Sequence, residues 1–203
     1  MAGRHARAFH CAHTKGKTMS IHLVFGGARS GKSRYAESLA KGQKFYVATA
    51  EALDDEMVQR IEAHRQRRGQ GWETFEVPLD LVGALQTIDG RGRFILVDCL
   101  TIWLSNLILV KLDARTEIEM LCECLKTIRS RVVLVSNEVG LGIVPANVMA
   151  RNFRDDQGFL NQRVAEIADE VVFMVAGLPM VLKKMPRKVP PRKARKSSRS
   201  RKA

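Results

Sequence analysis

Residues 26–33 read Gly26-Gly27-Ala28-Arg29-Ser30-Gly31-Lys32-Ser33, an octapeptide that fits G-x-x-x-x-G-K-[ST], the pattern of a phosphate-cradling loop. The flanks give the pattern its meaning. Ile21 to Phe25 is a short apolar run that reads as a buried strand, and a helix is expected from Lys32. Gly26 and Gly31 permit backbone angles that aim successive N–H groups inward, toward an anion held at a helix N-terminus. In that arrangement the whole octapeptide binds the nucleotide, Lys32 reaching the β- and γ-phosphates and the Ser33 hydroxyl holding Mg²⁺. The alternative is a glycine turn with no ligand, for which the strand before it and the helix after it would be coincidences.

Working outward from the loop, Phe45 to Ala48, Phe94 to Val97, Val132 to Val135 and Val171 to Val175 are further apolar runs. They are unbroken rather than alternating and are separated by helical patterns, which indicates strands buried on both faces. The expected fold is α/β, a P-loop NTPase with a mostly parallel central sheet of five such strands and helices on both faces. Asp54-Asp55-Glu56 opens a helix with an acidic first turn, as the helix dipole favours, and the pattern continues to about Arg68.

The formal net charge of +13 suggests a nucleic-acid partner until its distribution is read. Residues 1–19 hold four basic side chains and no acid, and residues 183–203 hold eleven and no acid. Taking these fifteen from the total of 34 leaves 19 basic against 21 acidic, a body of net charge −2. The expected organisation is therefore an extension over 1–19, one catalytic domain over 20–183, and a disordered basic tail over 184–203 that is rich in Pro, Ser, Lys and Arg. Four cysteines without a secretory signal argue for reduced thiols and a cytoplasmic location. Cys99 reads as a core thiol, and Cys122 and Cys124 lack the spacing and second ligand pair of a zinc site. No apolar run is long and uninterrupted enough to span a membrane.

Three positions besides the loop carry candidate chemistry. Asp98 ends the strand Phe94 to Val97 and could either cap that strand or hold Mg²⁺, since a P-loop calls for an acidic partner on a neighbouring strand. Asn137 and Glu138 occupy the equivalent place after Val132 to Ser136, where ligands of open α/β sheets bind, or else they cap a loop. His64 shares a helix face with Met57, Ile61 and Arg68. The pattern alone allows a histidine at the edge of a packed stripe or a nucleophile whose neighbours Arg60, Arg65, Arg67 and Arg68 neutralise phosphate charge.

Taken together, Phe25 to Glu37, Tyr46-Val-Ala-Thr-Ala50, Leu53 to Met57, Arg60-Ile-x-x-His64 with Arg68 and Trp72, Val135 to Pro145, and Arg151-x-Phe-Arg-Asp155 leading to Asn161-Gln162 resemble one family. It is the adenosylcobinamide kinase/adenosylcobinamide-phosphate guanylyltransferase family of cobalamin biosynthesis. The resemblance covers residues 20–182. It implies a RecA-like P-loop fold, a homotrimer, and two reactions at overlapping sites. In the first, the adenosylcobinamide hydroxyl takes a phosphoryl group from GTP or ATP. In the second, His64 takes GMP from GTP and passes it to adenosylcobinamide phosphate. The residues read above are expected to support these steps: Lys32 and Glu138 at the nucleotide, Arg60 and Arg68 as cations, and Ser33 and Asp98 at Mg²⁺. Two other readings compete: a P-loop NTPase whose basic tail binds nucleic acid, which the −2 body disfavours, and a small-molecule kinase without the histidine step.

Overall fold

The computed structural model describes residues 20–50, 66 and 68–184. The expected extension over 1–19 lies outside the described residues, as do His64, Arg60, Arg65, Arg67 and nearly all of the helix expected from Asp54. The chain runs β1 (Ser20–Gly26), α1 (Lys32–Ser38), β2 (Gln43–Ala48), β3 (Trp72–Glu76), α2 (Leu81–Ile88), β4 (Arg93–Asp98), α3 (Leu100–Leu109), α4 (Ala114–Thr127), β5 (Arg131–Asn137), α5 (Val148–Ile167), β6 (Glu170–Val175) and β7 (Leu178–Lys184).

The seven strands form one sheet in the order β3-β2-β4-β5-β1-β6-β7, parallel throughout except for β7. The central strands β1, β4 and β5 are buried on both faces, which is why their sequences are continuous rather than alternating. One face packs Leu23, Val47, Ile95, Val97, Val132 and Leu134 against Leu85, Trp103, Leu107, Ile118, Leu121 and Val164 of α2 to α5. On the other, Val24, Tyr46, Leu96, Val133, Val135 and Val172 pack with Ala36 of α1. Full burial of each large aliphatic side chain stabilises the fold by roughly 1.5–3 kcal/mol. Side-chain caps set three helix starts: Asp80 accepts from the Gly83 N–H, Asp113 from Arg115, and Asn147 from Ala150.

The α/β architecture and all five expected strands are present, and two strands escape the sequence reading. Trp72–Glu76 is an edge strand, half solvated, so it lacks the continuous apolar run of its neighbours. The apolar stretch beyond Val175 turns back at Ala176 and Gly177, whose φ angles of 51° and 81° form a two-residue hairpin, and continues as β7. β7 extends through Lys184, one residue into the segment expected as tail; the remainder of that segment lies outside the described residues. A further correction concerns Asp98. It does not sit on a strand neighbouring the P-loop strand, because β5 lies between β4 and β1.

Candidate active site

The carboxyl ends of β1, β4 and β5 converge on one edge of the sheet. At the end of β1 the backbone is shaped by two glycines. Gly26 has φ 152°, and a Cβ there would stand 2.4 Å from the Met174 carbonyl oxygen of β6. Gly31 has φ 93° and begins α1 without any side-chain cap, so the amides at that end remain directed into the loop. Between them Arg29 holds φ 54°, uncommon for a residue with a side chain, while Ala28 and Arg29 face solvent.

Ser30 is buried, and its hydroxyl oxygen has no protein partner. A buried orphan hydroxyl in a glycine-rich loop at a helix N-terminus is chemically suited to a phosphate oxygen. Lys32 is only 8% exposed, and its ammonium donates to the Gly27 carbonyl at 2.6 Å. Burial pulls its pKa below the ordinary lysine value, and Cys99 and Asp98 partly oppose that pull. Asp98 ends β4 at the same edge of the sheet as Lys32, although β5 separates β4 from the loop strand β1.

Asp98 accepts a hydrogen bond from the Tyr46 hydroxyl at 3.2 Å. Burial, with Asp98 beside it, keeps that phenol protonated well above its ordinary range. Over one face of the same ring lies the Arg68 guanidinium, 3.3 Å from the centroid. Arg68, expected as a supporting cation, is thus held on an aromatic platform next to the Asp98 strand. The following peptide is pinned by Thr49, whose hydroxyl donates to the Cys99 carbonyl at 2.8 Å and accepts from the Cys99 N–H at 2.9 Å.

The end of β5 is held from below by a buried polar cluster. Ser136 donates to Asn161 at 2.6 Å, Gln157 donates to both at 3.0 and 3.1 Å, and Asn161 donates to the Asn137 carbonyl at 3.0 Å. Thr101 accepts from the Asn137 N–H at 2.8 Å. One residue on, the Glu138 N–H donates to the Gly26 carbonyl, and the Glu138 carboxylate accepts from Gly140. Glu138 therefore borders the loop, as expected of a strand-end residue.

Tyr46, Thr49, Thr101, Gln157 and Asn161 make the hydrogen bonds at these strand ends, and the sequence reading assigned none of them a role. The available signal was a hydroxyl among apolar neighbours at Thr49 and Thr101; Gln157 and Asn161 lie in a helix of mixed polarity and carry no such signal. His22 is buried in β1 with Nδ1 3.6 Å from Glu170. Cys99, Cys122 and Cys124 are buried free thiols, and burial pushes the pKa of Cys99 and Cys122 up to about 11.

Among the described residues no group of three or more His, Cys, Asp or Glu side chains could hold a metal ion. The Ser33 hydroxyl and Asp98 carboxylate are nonetheless hard oxygen donors of the kind Mg²⁺ takes when substrate phosphates complete its shell. The donor chemistry fits that cation, and the buried Ser30 hydroxyl marks where phosphate would accompany it. Among the described residues no helix is long and apolar enough to cross a membrane.

This loop at this place in this sheet defines a P-loop nucleotide-binding protein. A family model described as cobinamide kinase/cobinamide phosphate guanyltransferase matches residues 22–182. The chain is 50% identical over 171 residues to the bifunctional adenosylcobalamin biosynthesis protein CobP of Pseudomonas aeruginosa, covering 81% of this chain and 98% of that one. It is 39% identical over 178 residues to the bifunctional CobU of Escherichia coli, covering 79% and 98%. Among solved structures, the flagellar accessory protein FlaH of Methanocaldococcus jannaschii shares 13% identity at a TM-score of 0.48, covering 82% of this chain and 79% of that one. The chain belongs to the cobinamide kinase/cobinamide phosphate guanyltransferase family, and is an enzyme of that bifunctional transferase class.

Proposed function

We propose that one nucleotide cradle serves both reactions of this chain, with His64 as the covalent carrier in the second. The observation that carries the proposal is the loop itself: a buried lysine, an orphan buried hydroxyl and two glycine-dependent turns at the strand end, with Asp98 at the end of β4 on the same edge of the sheet. In the kinase step the loop and Lys32 bind the triphosphate, and the adenosylcobinamide hydroxyl takes the γ-phosphoryl group with loss of its proton. Arg29 and Ser30 line the cradle, and Ser33 and Asp98 would hold Mg²⁺. When bound, Mg²⁺ neutralises phosphate charge and keeps the attacked phosphorus electrophilic.

In the guanylyl step a neutral imidazole nitrogen of His64 forms a bond to the α-phosphorus of GTP. The bond from that phosphorus to the bridging oxygen breaks, pyrophosphate leaves, and the imidazole gives up its ring proton to solvent. A phosphate oxygen of adenosylcobinamide phosphate then displaces the histidine, the bond from phosphorus to the ring nitrogen breaks as the imidazole takes back a proton from solvent, and adenosylcobinamide-GDP and the free neutral side chain result. Arg60 and Arg68 would neutralise the pentacovalent charge. Arg68 supports this assignment through its seat on Tyr46, and Glu138 through its bond to Gly26.

We place the enzyme in the cytoplasm, where its thiols stay reduced, and infer a homotrimer. Leu141, Ile143, Val144, Val148 and Met149 are exposed on a single chain, a surface that assembly would bury. The test of the proposal is incubation with α-labelled GTP and Mg²⁺. Acid-labile label on the protein, with a mass increase of one GMP, is expected. A protein that phosphorylates adenosylcobinamide and never takes up label would be a kinase only.

A further inference from the structure

Tyr46 stands between two groups that the proposed chemistry uses. Ala48 pairs with Asp98 across β2 and β4, and Tyr46 lies two residues earlier, so Tyr46 and Asp98 project from the same face of the sheet. The ring is fixed on several sides. Trp72 meets it edge-on with centroids 6.2 Å apart, Trp72 is braced in turn by Phe94 at 5.9 Å, and the Arg68 guanidinium covers one ring face. Only 5% of Tyr46 is exposed.

Packing alone would be satisfied by phenylalanine, which fills the same slot and offers Arg68 the same aromatic face. What tyrosine adds is one hydroxyl in a core strand, a group that costs free energy to bury unless it is paired. Its hydrogen bond goes to one oxygen of the Asp98 carboxylate at 3.2 Å. A donor held on one oxygen restricts the rotation of the carboxylate, as second-layer donors do at metal sites.

We infer that Tyr46 is a positioning residue whose hydroxyl orients the Asp98 carboxylate toward the divalent cation that accompanies the nucleotide. This rests on the reading of Asp98 as the cation-side carboxylate. The test uses the full chain with Tyr46→Phe, which keeps the ring. Mn²⁺ binding in the presence of GTP is read by electron paramagnetic resonance, alongside the Mg²⁺ dependence of adenosylcobinamide phosphorylation. The Mn²⁺ dissociation constant is expected to rise about tenfold, the Mg²⁺ concentration for half-maximal rate to rise with it, and kcat at saturating Mg²⁺ to return to within about twofold of the parent.

Unchanged Mn²⁺ affinity in Tyr46→Phe, with affinity lost in Asp98→Asn, would overturn the role of Tyr46 alone. Unchanged affinity in both variants would instead overturn the reading of Asp98. A kcat that stays low at saturating Mg²⁺ would place the defect in packing and equally dismiss the inference.

Discussion

The backbone N–H of Glu138 donates to the carbonyl of Gly26 at 3.0 Å, tying the segment after β5 to the first residue of the phosphate loop. Gly26 is thereby held on both sides, by Asn137 of β5 and Met174 of β6 in register. A side chain has no room there. Gly26→Ala should destabilise the protein by about 2–4 kcal/mol through the clash with the Met174 carbonyl and the left-handed φ. Gly27→Ala, whose Cβ would meet nothing within 4 Å, should leave the denaturant midpoint nearly unchanged. Equal losses in the two variants would show that the loop is not clamped in this way.

Lys32→Ala should abolish both activities, because both need triphosphate oxygens neutralised in the same nest. Lys32→Arg should not rescue them: a larger planar fork does not fit a site where the ammonium is nearly enclosed and 2.6 Å from the Gly27 carbonyl. Loss of one activity with survival of the other would reveal two separate nucleotide sites.

Asn161→Ala should cost about 2–3 kcal/mol, since it strips partners from the fully buried Gln157 and Ser136 and frees the Asn137 carbonyl. Because Glu138 follows directly, the KM for GTP should rise even at temperatures where the variant is fully folded. An unchanged KM would confine the cluster to a stabilising role.

The glycine loop, the central strands and the strand-end positions of Asp98 and Glu138 were legible because each depends on local chain chemistry. Continuous apolar runs encode burial on both faces, and G-x-x-x-x-G-K-[ST] encodes the backbone angles of the nest. Strand order is not encoded locally, so the insertion of β5 between β1 and β4 could not be read. Nor could Tyr46, whose significance depends on Asp98 and Arg68, which are 52 and 22 residues away along the chain. β3 was missed because an edge strand is half solvated and lacks the continuous apolar run, whereas β7 is apolar and merges in the sequence with the run from Val171, the turn at Ala176 and Gly177 being the only break. The role proposed for His64 rests on resemblance, since helical periodicity cannot separate a packed histidine from a nucleophile.

His22 gives the fold a defined pH response. Burial lowers its pKa below 6.5; Arg131 and Lys184 add to that depression, while Glu170 and Asp169 oppose it. A histidine with a depressed folded pKa is neutral in the native state while the unfolded chain already takes up a proton. Its contribution to stability is therefore complete above the unfolded value and is lost as pH falls from about 6.5 through the folded pKa, levelling off below both. Urea unfolding between pH 7.5 and 5 should show this loss in the parent and a flatter profile in His22→Gln. Parallel profiles would assign the pH dependence to other groups.

His64 should separate the two activities. Replacing it with Ala or Asn is expected to eliminate guanylyl transfer and leave measurable phosphorylation of adenosylcobinamide. The kinase step moves a γ-phosphoryl group directly to a hydroxyl and requires the loop, Mg²⁺ and a positioned acceptor, none of which His64 supplies. Guanylyl transfer requires a nucleophile at the α-phosphorus, and His64 and the buried His22 are the only histidines in residues 20–183. An attacking imidazole must be neutral, so uptake of α-label by the parent should decline as pH falls below an ordinary histidine pKa of about 6.5. The same pH series on the γ-phosphoryl transfer should lack that His64-dependent limb. An acid-labile GMP adduct that persists undiminished in His64→Ala would assign the nucleophile to another residue, while loss of both activities in a folded His64→Asn protein would mean that the histidine serves the cradle itself.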